Sequence, residues 1–243
     1  MCYPCLPAPS WKLSGKKKAH RRPTKLSRFK GRVLITWGPA FLCSEAIFME
    51  ETEMARVPFA TRENMTPSGQ KIWDEIESSR GGVARNYAAL LTNPEAADAL
   101  AGLGGYARYV TPLDLRVKTL AILTAAREAH GHYVWTVNQR GAKEAGISDD
   151  IVSAIHEFRA PVGLDAKDAV VVQFVLELLR QHRVSDATFE ALRSQVGDAG
   201  VVDVLVVSGY YHTLAHALQA LEVELPEGTS SALTYQTGKA PGD

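Results

Sequence analysis

From about residue 55 to residue 228, apolar residues recur at helical spacing, and the breaks between runs carry helix punctuation. Ile72, Trp73 and Ile76 fall on one face of a first segment, and Leu113, Val117, Leu120 and Ala121 on one face of a fourth. Thr66-Pro67, Asn93-Pro94 and Thr111-Pro112 each place a capping side chain before a proline at the first helical position. Ser148-Asp149-Asp150 and Ser185-Asp186 put acidic groups where a helix dipole is positive, and Gly146 follows Lys143-Glu144-Ala145 as a stop. The pattern predicts helices over 67–79, 86–92, 94–109, 112–129, 131–145, 148–158, 165–182, 185–196 and 198–221, hence an all-α domain. The β-branched runs Ala169–Val172 and Val201–Val207 are open to a strand reading, but both sit inside longer helical periods. Segments 112–129 and 198–221 are apolar nearly all round, as expected of a central helix or an oligomer interface.

Charge divides the 243 residues differently. Residues 1–53 carry 10 Lys/Arg and 4 Asp/Glu, for +6, and the remainder carries 17 and 23, for −6. The basic arm includes the run Lys16-Lys17-Lys18-Ala19-His20-Arg21-Arg22 and is too polar to bury much apolar surface, so it is expected to be disordered. A broken apolar stretch, Val33 to Phe48, follows. Three readings compete for the arm: a targeting segment, an anionic-surface or nucleic-acid tail, or upstream sequence preceding a functional start at Met49 or Met54. The last is favoured, because patterned sequence begins just after Met54-Ala55-Arg56-Val57-Pro58. The expected organisation is therefore 1–53 as arm, 54–230 as helical domain and 231–243 as a disordered tail. The acidic body lacks the basic face of a nucleic-acid binder. No stretch has the roughly 18 consecutive apolar residues of a membrane span. A soluble, cytoplasmic protein with no nucleic-acid or membrane partner is expected.

Cys2, Cys5 and Cys43 all lie in the arm, so the body holds no thiol. Cys2-Tyr3-Pro4-Cys5 lacks a second ligand pair for zinc, and no metal is expected. The densest polar cluster on the apolar helices is Arg127-Glu128-Ala129-His130-Gly131-His132-Tyr133-Val134-Trp135-Thr136-Val137-Asn138, with Gly131 expected to allow a turn between two helices. His132, Trp135 and Asn138 or Gln139 recur at helical spacing. Buried polar groups joining two helices explain this cluster as well as a pocket lined by His132 does. A second cluster, Tyr210-Tyr211-His212-Thr213-Leu214-Ala215-His216, puts His212 and His216 on one helical face, where core or interface roles compete with ligation.

These two segments carry a family resemblance. Leu113 through Glu128, then Tyr133-Val134-Trp135 through Asn138 to Gly146-Ile147-Ser148, resembles the carboxymuconolactone decarboxylase family, part of the alkylhydroperoxidase D-like superfamily. Ser79-Arg80-Gly81-Gly82-Val83, Leu90-Leu91-Thr92-Asn93-Pro94-Glu95, Gly209-Tyr210-Tyr211-His212 and Leu221 to Pro226 extend the likeness over about 170 residues, Arg56 to Gly228. The resemblance implies an all-helical domain that assembles as homotrimers or homohexamers, with sites near subunit interfaces and no cofactor. In the peroxidase branch a CxxC pair, a glutamate and a histidine form a proton relay. By motif position these fall on Gly131, Val134, Thr119 and Asn138, so all four are replaced. A peroxidatic mechanism needs a thiolate, which glycine and valine cannot supply.

Decarboxylase chemistry needs no thiol. It requires a held carboxylate, donors for the developing negative charge and a proton source. Arg127 is the expected carboxylate clamp, His132 the proton donor with His130 as second choice, and Asn138 an oxyanion donor. Thr119, Tyr133, Trp135, Tyr211 and His212 are expected to contact substrate. The reading is a lyase of decarboxylase type acting on a small organic acid or lactone. The alternative is a non-catalytic small-molecule-binding protein on the same fold, with thiol-dependent peroxidase activity a distant third.

Overall fold

The computed structural model describes residues 55–226, 228–230 and 233, together with the backbone of three strands nearer the N-terminus. The chain divides into two units, Met1–Thr52 and Glu53–Asp243. In the first, β1 (Lys25–Phe29), β2 (Arg32–Thr36) and β3 (Phe48–Glu50) pair antiparallel in that order, with Leu26 opposite Ile35 and Leu34 opposite Phe48. At these residues the arm departs from the expected disorder. Val33, Ile35 and Thr36 are β-branched, and the strand state suits them. The rest of the arm, with its three cysteines and the basic run, lies outside the described residues, as does most of the expected C-terminal tail.

The second unit is helical throughout its described residues. Its helices are α1 (Pro67–Arg80), α2 (Arg85–Leu90), α3 (Pro94–Gly105), α4 (Leu115–Glu128), α5 (His132–Asn138), α6 (Asp149–His156), α7 (Ala166–Leu176) and α8 (Asp186–Ala220). Thr66 and Asn93 cap α1 and α3 as the sequence predicts, accepting from the N–H groups of Gly69 and Ala96. Thr111-Pro112 does not start α4. Asp114 does, because its carboxylate accepts the N–H of Val117 at 2.8 Å. The valine runs are helical in both α7 and α8. Helices α3 and α7 each end in a wider π-helical turn, Tyr106–Val110 and Glu177–Gln181. The predicted separation near residue 197 is real: Gly197, at φ 73° and ψ 174°, breaks α8. By length and composition α8 alone, among the described residues, would suit a membrane span, but 56% of its most apolar window is buried inside this unit.

Helix α4 is the centre of the body. Leu120, Ala121, Leu123, Ala125 and Ala126 are wholly buried, and α5, α6, α7 and α8 all pack on α4. Alanines on α4 let the neighbouring backbones approach closely. A smaller cluster, Ile76, Tyr87, Leu91, Ala97 and Ala101, joins α1, α2 and α3. Two polar staples hold the shell. Arg116 on α4 pairs with Asp168 of α7 at 2.5 Å, the carboxylate 2% exposed, and also reaches the Gly146 carbonyl. Glu177 accepts from Gln173, from the Ser185 N–H and from the Thr188 hydroxyl, tying the end of α7 to the start of α8.

Those donors hold the Glu177 carboxyl at about 2, below its ordinary 4.5, with the Gln173 hydrogen bond the largest cause. A depressed carboxyl stabilises the fold above its unfolded pKa and loses that contribution as pH falls through the folded one. E177Q is expected to lower the Tm at pH 7, with the gap from the parent narrowing between pH 4.5 and pH 2. Thermal melts across that range check it.

Candidate functional site

The polar cluster around residues 127–138 is split by its own turn. His130 takes the left-handed conformation, φ 51°, and Gly131 does not, at φ −79°. Gly131 is instead fixed by proximity: a Cβ there would meet the Ala215 Cβ at 2.5 Å, on α8. That distance is closer than real Cβ atoms come, so the position has no room for any side chain. Helix packing thus excludes a thiol at position 131.

On one side of this turn lie most of the residues expected to act together. The Arg127 guanidinium donates from Nε to the His156 carbonyl at 2.5 Å, approaches His130 Nδ1 at 3.3 Å and stacks on the Phe158 ring at 3.7 Å. Burial lowers its pKa from the ordinary arginine value. His132 is half-buried, and its imidazole is pushed towards the neutral form first by desolvation, then by Arg127 and His130. Trp135 is wholly buried and packs on the His156 ring, with no hydrogen-bond partner for its indole N–H among the described residues. Thr119 is buried too, its hydroxyl donated to the Leu115 carbonyl. Trp135 and Thr119 are therefore core residues. His212 and His216 stack edge to face, 4.3 Å between centroids, with burial lowering the His212 pKa first and His216 second. Among the described residues no three His, Cys, Asp or Glu gather as metal ligands.

On the other side, Val134 and Asn138 face a different cavity, of about 60 Å³. Two of the predicted contact residues, Tyr133 and Tyr211, line it with them. Further walls come from Arg80, Asn86, Tyr87, Arg108 and Tyr210, none of which was expected to contact substrate. Tyr87 and Tyr210 share a buried hydrogen bond of 3.0 Å between hydroxyls. Gly104 makes room for Tyr210, whose hydroxyl would lie 2.4 Å from a Cβ at that position. Burial raises the pKa of Tyr133, Tyr210 and Tyr211, so these phenols stay protonated at neutral pH and act as donors. Arg80 donates to the Ala101 carbonyl at 2.6 Å and lies over the Tyr87 ring, while its buried Nε–H has no acceptor among the described residues. Asn138 donates one N–H to the Val134 carbonyl at 2.7 Å. The cavity thus combines guanidinium, phenol and amide donors, and among the described residues no thiol, carboxylate or imidazole lines it. Asn138 is separated from Arg127 and His132, and the four residues expected to be catalytic do not converge.

Comparison with known proteins agrees with this architecture. Residues 94–177 match the model of the carboxymuconolactone decarboxylase family. No curated protein matches the sequence. Among solved structures, the alkylhydroperoxidase AhpD core of an uncharacterized peroxidase-related protein from Ralstonia eutropha JMP134 is similar with a TM-score of 0.60 at 12% identity, covering 72% of this chain and 93% of that one. An uncharacterized peroxidase-related protein from Silicibacter sp. TM1040 is similar with a TM-score of 0.59 at 16% identity, covering 74% and 95%. The apo debrominase Bmp8 gives 0.57 at 14% identity, covering 70% and 92%. At these identities the structural likeness concerns the fold alone.

The close seat of Gly131 is testable. Gly131→Ala is expected to destabilise the body by about 1–3 kcal/mol through overpacking, and adding Ala215→Gly is expected to restore most of the loss. Denaturant titration of the single and double variants measures both. Residues 94–177 thus match the carboxymuconolactone decarboxylase family, and the helical body is similar in fold to alkylhydroperoxidase D-like structures.

Proposed function

We propose that the helical body takes up a small organic acid at the cavity between α1, α5 and α8 and acts on it as a decarboxylase-type lyase without a cofactor. The observation that carries this reading is Arg80. Its guanidinium is half-buried, its Nε–H lacks an acceptor among the described residues, and it borders a cavity shared with Arg108 and several protonated tyrosines. A carboxylate is the group that satisfies such a donor set, because its two oxygens match a guanidinium fork. The cavity seats a ligand's charged end rather than a whole ring. Arg108 is exposed at the edge of the cavity, hydrogen-bonded to Tyr211 and lying over the Tyr109 ring, and its movement would admit the remainder.

Chemistry follows from the same donors. Heterolysis of the bond to the carboxylate carbon releases carbon dioxide and leaves the electron pair as a dienolate. Asn138 and the phenol hydroxyls supply N–H and O–H donors to the developing oxyanion, and Tyr211 passes a proton to carbon and regains one from water, so it is a phenol before and after the turnover. Neither Arg127 nor His132 has a part in this scheme, since neither borders the cavity. The similar fold of the debrominase Bmp8 has been seen in complex with 2,3,4-tribromopyrrole, a small ring compound, which is in keeping with a ligand of that size. Self-association as a trimer or hexamer belongs to the same reading. It is supported by apolar side chains left on the surface of α8 and of the turn after α3, among them Val202, Leu205, Tyr109 and Val110. So does a soluble, cytoplasmic location, α8 spending much of its apolar surface on the core. The alternative on the same geometry is uptake without turnover.

Carbon dioxide release from a carboxy-lactone, with binding followed by calorimetry, tests the reading. Arg108→Gln is expected to weaken carboxylate binding about tenfold, and Tyr211→Phe to lower turnover about 100-fold. His132→Gln is expected to leave turnover unchanged. Saturable binding with no carbon dioxide would establish the binding protein instead, and carboxylate affinity indifferent to Arg108 would remove the site.

A further inference from the structure

A second cavity, of about 250 Å³, lies against α4 and shares no lining residue with the tyrosine pocket. Its apolar walls are Ile155 from α6, Phe158, Ala160 and Pro161 beyond α6, and Val172 and Leu176 from α7, and Arg159 lies among them. Its polar features are few and well defined. Thr124 of α4 lines it, is 1% exposed, and its hydroxyl has no hydrogen-bond partner among the described residues. At the rim, Arg180 grips Glu128 in a two-point pair, Nε and Nη2 each 2.7 Å from a carboxylate oxygen. Phe158 stands beside this pair in the left-handed conformation, φ 55°, with Arg127 stacked on its ring.

A buried hydroxyl left unpaired costs about 1–3 kcal/mol, so its position beside a cavity is informative. Three charged residues line the cavity, and each is paired: Glu128 with Arg180, and Arg159 with Glu157 at 2.6 Å, so none is left uncompensated to attract an ionic ligand. The volume also narrows the choice. An apolar cavity of roughly 150 Å³ takes up benzene, so about 250 Å³ accommodates one six-membered ring with a small substituent. We infer that this cavity is a binding site for a neutral monocyclic compound bearing one hydroxyl group. The ring packs among Ile155, Phe158, Val172 and Leu176, and the hydroxyl exchanges a hydrogen bond with Thr124 Oγ1. This site is independent of the carboxylate pocket: it lies in other helices, takes a neutral ligand and uses no guanidinium directly.

Phenol is the probe, with benzene and benzoate as controls, on the full chain with labelled Ile, Leu and Val methyl groups. Phenol at millimolar concentration is expected to shift the methyls of Ile155, Val172 and Leu176, leaving those of Val134 and Leu214 in place. Benzoate is expected to leave the Ile155, Val172 and Leu176 methyls unshifted. Thr124→Val keeps the side chain's shape and removes only the hydroxyl. It is expected to weaken phenol about tenfold while benzene affinity stays the same. The fold of that variant is checked by its unperturbed Val134 and Leu214 methyls. Phenol that leaves the Ile155, Val172 and Leu176 methyls unshifted would overturn the proposal, as would a Thr124→Val variant that binds phenol like the parent.

Discussion

Helix α4 is surrounded, and the rest of the body is arranged by the need to surround it. A helix apolar on nearly every side has to be covered on nearly every side, and α5, α6, α7 and α8 provide the cover. Its alanines bring those helices close, and close approach constrains what each can carry. Gly131 lacks a side chain because α5 touches α8 there. The polar groups in the middle of α4 are reduced to threonines: Thr119 satisfies itself on its own helix, and Thr124 faces a cavity. Polar chemistry is displaced from the centre to the seams between α4's neighbours, and the tyrosine pocket occupies one of those seams.

That displacement explains the unusual donor set. Sites built for proton relay place an acid and a base within reach of each other. Here the seam between α1, α5 and α8 gathers groups that stay in one protonation state near neutral pH, guanidinium and phenol, with an amide that does not titrate. Burial reinforces this by raising the tyrosines. Such a site recognises negative charge and stabilises it where it develops, and its donors keep that capacity over a broad pH range.

Much of the helical order was legible because capping chemistry is local. Pro67 and Pro94 mark helix starts to the residue, since the preceding side chain and the proline ring act within one turn. Pro112 misleads because Asp114, two residues later, is the stronger acceptor and takes over the cap. The site was less legible. Residues 127–138 look like one cluster in sequence, but His130 reverses the chain between two helices, so Arg127 and Asn138 end on different faces. Arg80, Tyr87, Arg108 and Tyr210 come from four separate segments, and nothing periodic links them. Arg80 and Tyr210 do fall within the stretches that carry the family resemblance, which was the one available signal. The strands in the arm were missed because a basic, proline-bearing context outweighed a short β-branched run.

The contact between Gly131 and Ala215 also bears on which substitutions are open to this chain. A cysteine cannot enter at 131 until residue 215 shrinks, and at 215 only glycine is smaller than alanine. Losing alanine from the interior of α8 brings no benefit while 131 remains glycine. Each of the two changes is unfavourable before the other, so any path to a side chain at 131 crosses a valley. Packing between two helices couples the two positions, so residue 215 decides what residue 131 can be.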